Sequence, residues 1–459
     1  MRAVDSGPIL LARRLGQRFL DNPLVRRVIR NSGYLLSASM IGALLSMGQS
    51  ALSARLLGVA GFGILGTVTQ FASVINGLTS FRMSQLVVSF VHEYVAEDQP
   101  DHAAAVFKVA GLAEISSSVL AYGILLILAP VGARYLAPND PANAGLYALY
   151  GLIILANLMA ESSTGLLQVF NRFRLLAAIT VGQSALTLIL IAGFFVSGGG
   201  IREILIAYLA GKAAWALATS AAALWQARTA WGPGWWRAPL SLLADRKREL
   251  FKFAVNTNLT TSLNLVTRDS EVLWLSAFSS PVQVGYYKLA LSIRTMMINP
   301  VDPLITTTYR EVTREVAHRR WPNVWYLLRS GSLISAVWTI PASLGALVLG
   351  RWLISAIWGP AFLPAYDSLL VLVFGVLAVN IFYWNRNVLL PLGLPEYPTK
   401  VHLVAAALKI AGIFVLVPRW GAVGMAVLLS AFYLGTTGVL VWKTVRELRR
   451  AERLAPAEG

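Results

Sequence analysis

Twelve stretches of roughly twenty mainly apolar residues, each closed by a short connector, leave this chain few ways to fold. They run at about 33–54, 62–90, 104–129, 145–169, 174–197 and 203–225, and again at 248–277, 282–309, 323–348, 366–388, 398–417 and 422–443. The connectors hold helix breakers: Gly58 to Gly63, Pro138 to Pro141, Gly198 to Gly200, Pro281, Pro360 to Pro364, Pro391 to Pro395, and Pro418. Only 13% of the 459 residues are charged, whereas soluble domains carry about 25%. A soluble core of this length divides into domains with polar surfaces. A charge deficit spread along the whole chain therefore predicts an all-α, polytopic membrane protein.

The net charge is +17, and it sits in short clusters between the apolar stretches. That is the signature of retained cytoplasmic loops, not of a nucleic-acid surface, so no nucleic-acid partner is expected. With the N-terminus inside, twelve spans place 26 Lys and Arg in inner segments and 5 in outer ones. One missed helix would invert every later loop, so the count predicts both termini in the cytoplasm and a bacterial inner-membrane location. The acidic loop from Glu93 to Asp101 is the inner loop that does not follow the pattern. There is no cysteine, which excludes disulfides and thiolate chemistry, and His92, His102, His318 and His402 lack ligand spacing. No metal, cofactor or catalytic residue is expected. Residues 1–32 are basic; they read as an amphipathic segment on the inner leaflet or as a solvated tail.

Three landmarks recur at an offset of 222 positions: Gly63 and Gly285, Asn171 and Gly393, Gly199 and Gly421. Each pair occupies the same connector or span opening in the two halves. Six spans is an even number, so the halves run in the same direction. This predicts two parallel six-helix lobes, 33–225 and 248–445, around a central cavity, with the substrate site between them. A basic, tryptophan-rich linker at 226–247 joins the lobes, and 446–459 forms a cytoplasmic tail. The linker reads as an interfacial hinge on which the lobes rock, and its Trp231, like Trp225, Trp352, Trp358 and Trp442, reads as an interfacial anchor.

Asn31 followed by ALSARLLGVAGFGILGTV, then RDSEVLWLSAFSSPVQVGYYKLALSI, LISAIWGPAFLPAYDSLLVL and VPRWGAVGMAVLLS resemble the polysaccharide transporters of the multidrug/oligosaccharidyl-lipid/polysaccharide exporter superfamily. The match runs over about 33–443. The resemblance implies a cavity lined chiefly by the first two helices of each lobe. It also implies a polyprenyl-diphosphate-linked oligosaccharide as substrate, flipped from the inner to the outer leaflet for cell-surface polysaccharide synthesis. Membrane lipids and a glycan polymerase or chain-length regulator are the partners it suggests.

Ionisable groups within a bilayer are functional candidates by default. Arg268, Asp269 and Glu271 lie in span seven, Lys288 and Arg294 in span eight, and Arg82 near the inner end of span two. Glu114, Glu161, Lys212 and Lys409 lie near the middle of spans three, four, six and eleven. A diphosphate must be matched by cations, Arg as a planar fork and Lys as a point charge. Under the family placement, Arg294, Arg268, Lys288 and Arg82 are the candidate cavity cations. Arg294 sits about twelve residues into its span, roughly 18 Å deep. Glu114, Glu161, Asp269 and Glu271 are candidate ion-coupling or pairing carboxylates. The alternative is structural: Asp269 and Glu271 pair with Arg268 or Lys288, Arg82 and Asp302 snorkel, and Lys212 and Lys409 face water or pair with Glu114 and Glu161.

Other functions remain open. A drug or cation antiporter of the same superfamily would carry membrane carboxylates, yet Asn31 to Leu57 holds none. A glycan polymerase or ligase would show a long external loop, but the connectors near 130–144 and 349–365 are short and lack His. A peptidoglycan-precursor flippase would show a basic motif within span one, where no basic residue occurs before Arg55.

Overall fold

In lipid every backbone N–H and C=O must be satisfied within the protein, and a helix does this inside one segment. The computed structural model, which describes residues 23–79, 83–136, 143–265, 270–385 and 387–454, is helical through most of that length. Seven of the described helices are long and apolar enough to cross a membrane. Two of them are double rods. Helix α1 (Pro23–Thr79) turns at Gly58 and continues, after 80–82, as a helical stretch at 83–96 with a π-turn at Val87–Val91. The first half then runs through α2 (Pro100–Leu136), α3 (Asn143–Ala156), α4 (Ala160–Val169), α5 (Phe173–Val196) and α6 (Ile201–Trp231).

The second half repeats this plan with α7 (Lys247–Asn264), α8 (Glu271–Phe278), α9 (Pro281–Ile298), α10 (Asp302–Ala317), α11 (Trp321–Ile357), α12 (Ala365–Ile381) and α13 (Glu396–Leu454). Helix α13 is the other double rod and turns at Gly421. Pro300 separates α9 from α10. Counted rod by rod, the described residues are roughly consistent with the twelve expected spans, seven helices being long and apolar enough to cross by themselves.

The repeat is visible in the backbone. Left-handed φ angles occur at Asn171 and Gly393, at Gly198 and Gly421, and at Asp98 and Arg319, within one residue of a constant offset. Helices α2 and α11 each run 37 residues and each carries, beyond its first turn, a proline, Pro130 or Pro341, that does not stop it. Neighbouring helices let a membrane helix carry proline. At 1.5 Å per residue such a helix is about 55 Å long against a hydrocarbon core of about 30 Å. Both therefore outrun the apolar stretches expected at 104–129 and 323–348.

Core packing differs between the two ends of the molecule. Around Gly58, one apolar cluster runs through both halves, from Phe62, Leu65 and Tyr147 to Tyr287, Leu369 and Met425. Towards the linker there are two clusters: Phe90, Phe107 and Leu166 with Leu243 of the linker and Leu250 and Ala254 of α7, and Val312, Leu328 and Trp384 within the second half. The halves share one core at the Gly58 end; at the linker end α7 packs on the first half, with Phe253 edge-on to Phe90 at 5.5 Å, while the rest of the second half keeps a core of its own.

Their meeting point explains one landmark pair. A Cβ on Gly63 would lie 1.9 Å from the Pro281 carbonyl oxygen, and one on Gly285 would lie 2.2 Å from the Val59 carbonyl oxygen. The two contacts are equivalent under the repeat, so α1 and α9 cross backbone to backbone, as small residues permit in membranes. Arg55 donates to the carbonyls of Ile357 (2.7 Å) and Ala356 at the C-terminus of α11. Such carbonyls lack helical partners and carry the negative end of the dipole. Phe62 meets Phe362 edge-on at 5.8 Å.

The linker is packed onto the first half. Trp231 and Trp235 contact Phe107, Lys108 donates to the Ala238 carbonyl at 3.2 Å, and Arg246 bonds Glu93 at 2.7 Å while lying over Phe90. The acidic loop that departed from the charge pattern thus meets an arginine of the linker.

Candidate functional site

On a helix, residues three, four, seven and eleven apart share a face. Lys288, Ser292, Thr295 and Asn299 follow that spacing along α9, and their face borders a cavity of about 260 Å³. Opposite stand Ala43, Ser46 and Met47 of the first arm of α1, and Gly66, Thr69 and Gln70 of the second. Val272 of α8 and Trp358, just past α11, complete the wall. The first two rods of each half supply nearly all of the lining, as the resemblance implied.

Lys288 is the charged side chain of this lining. Gly66 makes room for its stem: a Cβ there would fall 2.7 Å from the lysine Cδ. The ammonium lies 4.8 Å from the centroid of the Phe62 ring, a cation–π contact. Among the described residues Lys288 forms no ion pair, and no carboxylate lines the cavity. Trp358 is buried, at 3% exposure, and donates from its indole nitrogen to Ser50 at 3.1 Å. It closes the cavity on the Gly58 side and is not an interfacial anchor. Trp225, Trp352 and Trp442 are exposed.

Arg294 does not line this cavity. Six residues beyond Lys288, it is rotated about 120° around the helix axis. It shares a face with Tyr287, and its guanidinium donates to the Tyr433 hydroxyl and lies 5.3 Å from that ring's centroid. Tyr287 donates to Glu271 at 3.0 Å, and Glu271 accepts from Lys409 in an ion pair whose side chains are 5% and 4% exposed. A second polar cluster, Glu271, Lys409, Tyr287, Arg294 and Tyr433, is therefore buried inside the second half. Glu271 finds Lys409, 138 residues away, and not Lys288.

Glu114 serves the first half differently. Its carboxylate accepts from the backbone amides of Glu161 (2.8 Å) and Ser162 (2.9 Å) and from the Ser162 hydroxyl. It caps the N-terminus of α4, where the first amides lack helical partners. Glu161 stands beside it in the first turn of α4. Lys212 is exposed beside Trp215, 5.5 Å from its ring centroid, and pairs with neither glutamate. Arg82, Arg268 and Asp269 lie outside the described residues.

Of the candidate cations within the described residues, then, the cavity takes Lys288 and the second half's interior takes Arg294. Residue-by-residue reading overlooked Gln70, Thr69, Ser292, Thr295 and Asn299. The signal for three of them was present: a polar stripe at helical spacing that starts from Lys288.

Residues 28–309 match the family described as Polysaccharide biosynthesis protein. The chain is 25% identical over 365 residues to Inner membrane protein YghQ of Escherichia coli (strain K12), which spans 74% of this chain and 95% of that one. Its fold superposes on an inward-facing multidrug resistance MATE family transporter of the MOP superfamily with a TM-score of 0.70 at 14% identity, covering 92% of this chain and 99% of that one. The Lipid II flippase MurJ, in an inward closed conformation, gives a TM-score of 0.69 at 13% identity, covering 92% and 90%.

Proposed function

The chain belongs to the polysaccharide biosynthesis protein family, and on that premise we propose that it flips a polyprenyl-diphosphate-linked oligosaccharide from the inner to the outer leaflet. The two halves alternate access to the cavity between them. The observation that carries this reading is Lys288, a cation that faces a cavity shared by both halves and forms no ion pair among the described residues. A diphosphate leaves water only if cations replace its hydration, and a lysine ammonium is a compact, rotatable donor for it. The polar stripe of Ser292, Thr295 and Asn299 offers the head group and first sugar hydrogen-bond partners along the same face.

Both termini and the linker are taken as cytoplasmic, from the distribution of Lys and Arg. The route from the inner leaflet then runs between the two clusters at the linker end, one built on the first half with α7 and the other within the second half, while the Gly63–Gly285 crossing, Arg55 and Trp358 close the opposite side. Release outward requires those contacts to part and the linker-end clusters to meet. Arg294 contributes as a positioning residue that ties α9 to Tyr433, and Arg268 and Arg82 remain candidate cations of the same route. A glycan polymerase or chain-length regulator would act on the product at the outer face. The antiporter reading is weaker because no carboxylate lines the cavity among the described residues, while Glu271 and Glu114 are committed to Lys409 and to the α4 cap.

The test compares Lys288→Gln with Lys288→Arg in cells whose surface glycan depends on this chain. The glutamine variant should insert and accumulate normally but lose export, and the arginine variant should retain part of it. Normal export by Lys288→Gln would overturn the assignment of this lysine to the head group.

A further inference from the structure

A larger cavity, of about 610 Å³, lies between the linker, the first half and the first helix of the second half. Its walls are apolar: Leu86, Val109 and Ala113 on one side, Leu243, Leu250 and Phe251 on the other. Lys247 is the charged residue of its lining. Lys247, Leu250, Phe251 and Ala254 share one face of α7, so the helix presents an apolar stripe that ends in a cation at its start. The neighbouring Arg248 and Lys252 are exposed, whereas Arg246 is occupied by Glu93 and Glu249. Asp245 and Glu249 are the exposed carboxylates beside them, and Glu249 is held by Arg246. Trp236 of the linker is exposed, as a tryptophan at head-group depth would be.

An apolar groove of this size suits a hydrocarbon chain. A lipid tail is equally comfortable in the bilayer, so the groove alone confers no preference among lipids. Selectivity must come from the mouth, where the balance of charge is positive. We propose that this groove holds the hydrocarbon chain of an anionic phospholipid, with its phosphate on Lys247 and the charges of Arg248 and Lys252 flanking it. The chain would lie between α2 of the first half and α7 of the second, in contact with the linker that joins them. The bound lipid thereby extends the contact that α7 already makes with the first half. The site is distinct from the Lys288 cavity and does not depend on what that cavity carries.

The full chain is reconstituted in nanodiscs of phosphatidylethanolamine and phosphatidylglycerol with a trace of polyprenyl phosphate, and the lipids retained after detergent extraction are measured by mass spectrometry. Phosphatidylglycerol should be enriched over its bulk share. Lys247→Gln, a change at an exposed position, should cut that enrichment about five-fold, the effect of one interfacial cation. Ala113→Trp, which fills the groove, should abolish it, and Arg453→Gln in the tail should leave it unchanged. Wild-type enrichment in Lys247→Gln would overturn the proposal. So would retention of polyprenyl phosphate in place of phosphatidylglycerol, which would assign the groove to an isoprenoid chain.

Discussion

Replacing Gly63 with alanine tests the crossing that holds the two halves together. The new Cβ would stand 1.9 Å from the Pro281 carbonyl oxygen and 2.9 Å from the Gly285 nitrogen. Side-chain carbons do not approach backbone oxygen closer than about 3 Å, so α9 must retreat from α1 by roughly 1 Å at this point. Both neighbours are backbone, and no rotamer change relieves the contact. Overpacking of this kind costs about 1–3 kcal/mol. That cost falls on the arrangement in which the Gly58 end is closed, because parting the halves there removes the clash. The balance should therefore shift towards the parted arrangement by about 5- to 150-fold. Gly285→Ala attacks the same crossing from the other helix, at 2.2 Å from the Val59 carbonyl oxygen. The two changes should be markedly non-additive, since the first already opens the space that the second needs. The chain contains no cysteine, so spin labels on Val196→Cys and Trp420→Cys report the separation cleanly; these residues are 86% and 56% exposed and stand at the Gly58 end of either half. Pulsed electron–electron resonance should show a longer, broader distance in Gly63→Ala. A distribution identical to that of the parent, with undiminished transport, would refute the view that this crossing is a contact of one state only.

Three further outcomes follow from the same geometry. Glu271→Gln or Lys409→Met alone should destabilise the protein by about 3–5 kcal/mol, because each leaves a buried charge unmatched. The double variant should recover most of that in a thermal melt, and a failure to recover would give Glu271 a role beyond pairing. Glu114→Ala removes the cap of α4 and leaves two buried amides unsatisfied, which should cost about 3 kcal/mol. An unchanged melting midpoint would count against the cap. For orientation, Val282→Cys should react with an impermeant maleimide on intact cells and Ala317→Cys only after permeabilisation; the reverse pattern would invert the topology.

How far each feature was legible depends on the range of the interaction behind it. Helical crossings could be read from about 33 to 443 because lipid offers the backbone no partner outside the segment. The constant offset between Gly63 and Gly285 was likewise visible, as was the excess of basic residues in alternate connectors. What those residues do was not. Gly63 and Gly285 looked like connector glycines, and only the packed chain shows them as the surfaces on which the halves touch. Lys288 and Arg294 were both candidate cavity cations in one apolar helix, with Arg294 favoured for its depth. The rotation of α9 against α1 and α13 sent one into the cavity and the other to Tyr433. Trp358 looked like an anchor until α11 delivered it to Ser50. Glu271 had nearer arginines and lysines along the chain than Lys409, yet distance along the chain does not govern pairing in a helical bundle. The sequence alone determined that this chain crosses the membrane in two repeated sets of helices, because that property is local to each segment. Which face of each helix meets the cavity was decided by tertiary packing, because helical phase has meaning only relative to a neighbour.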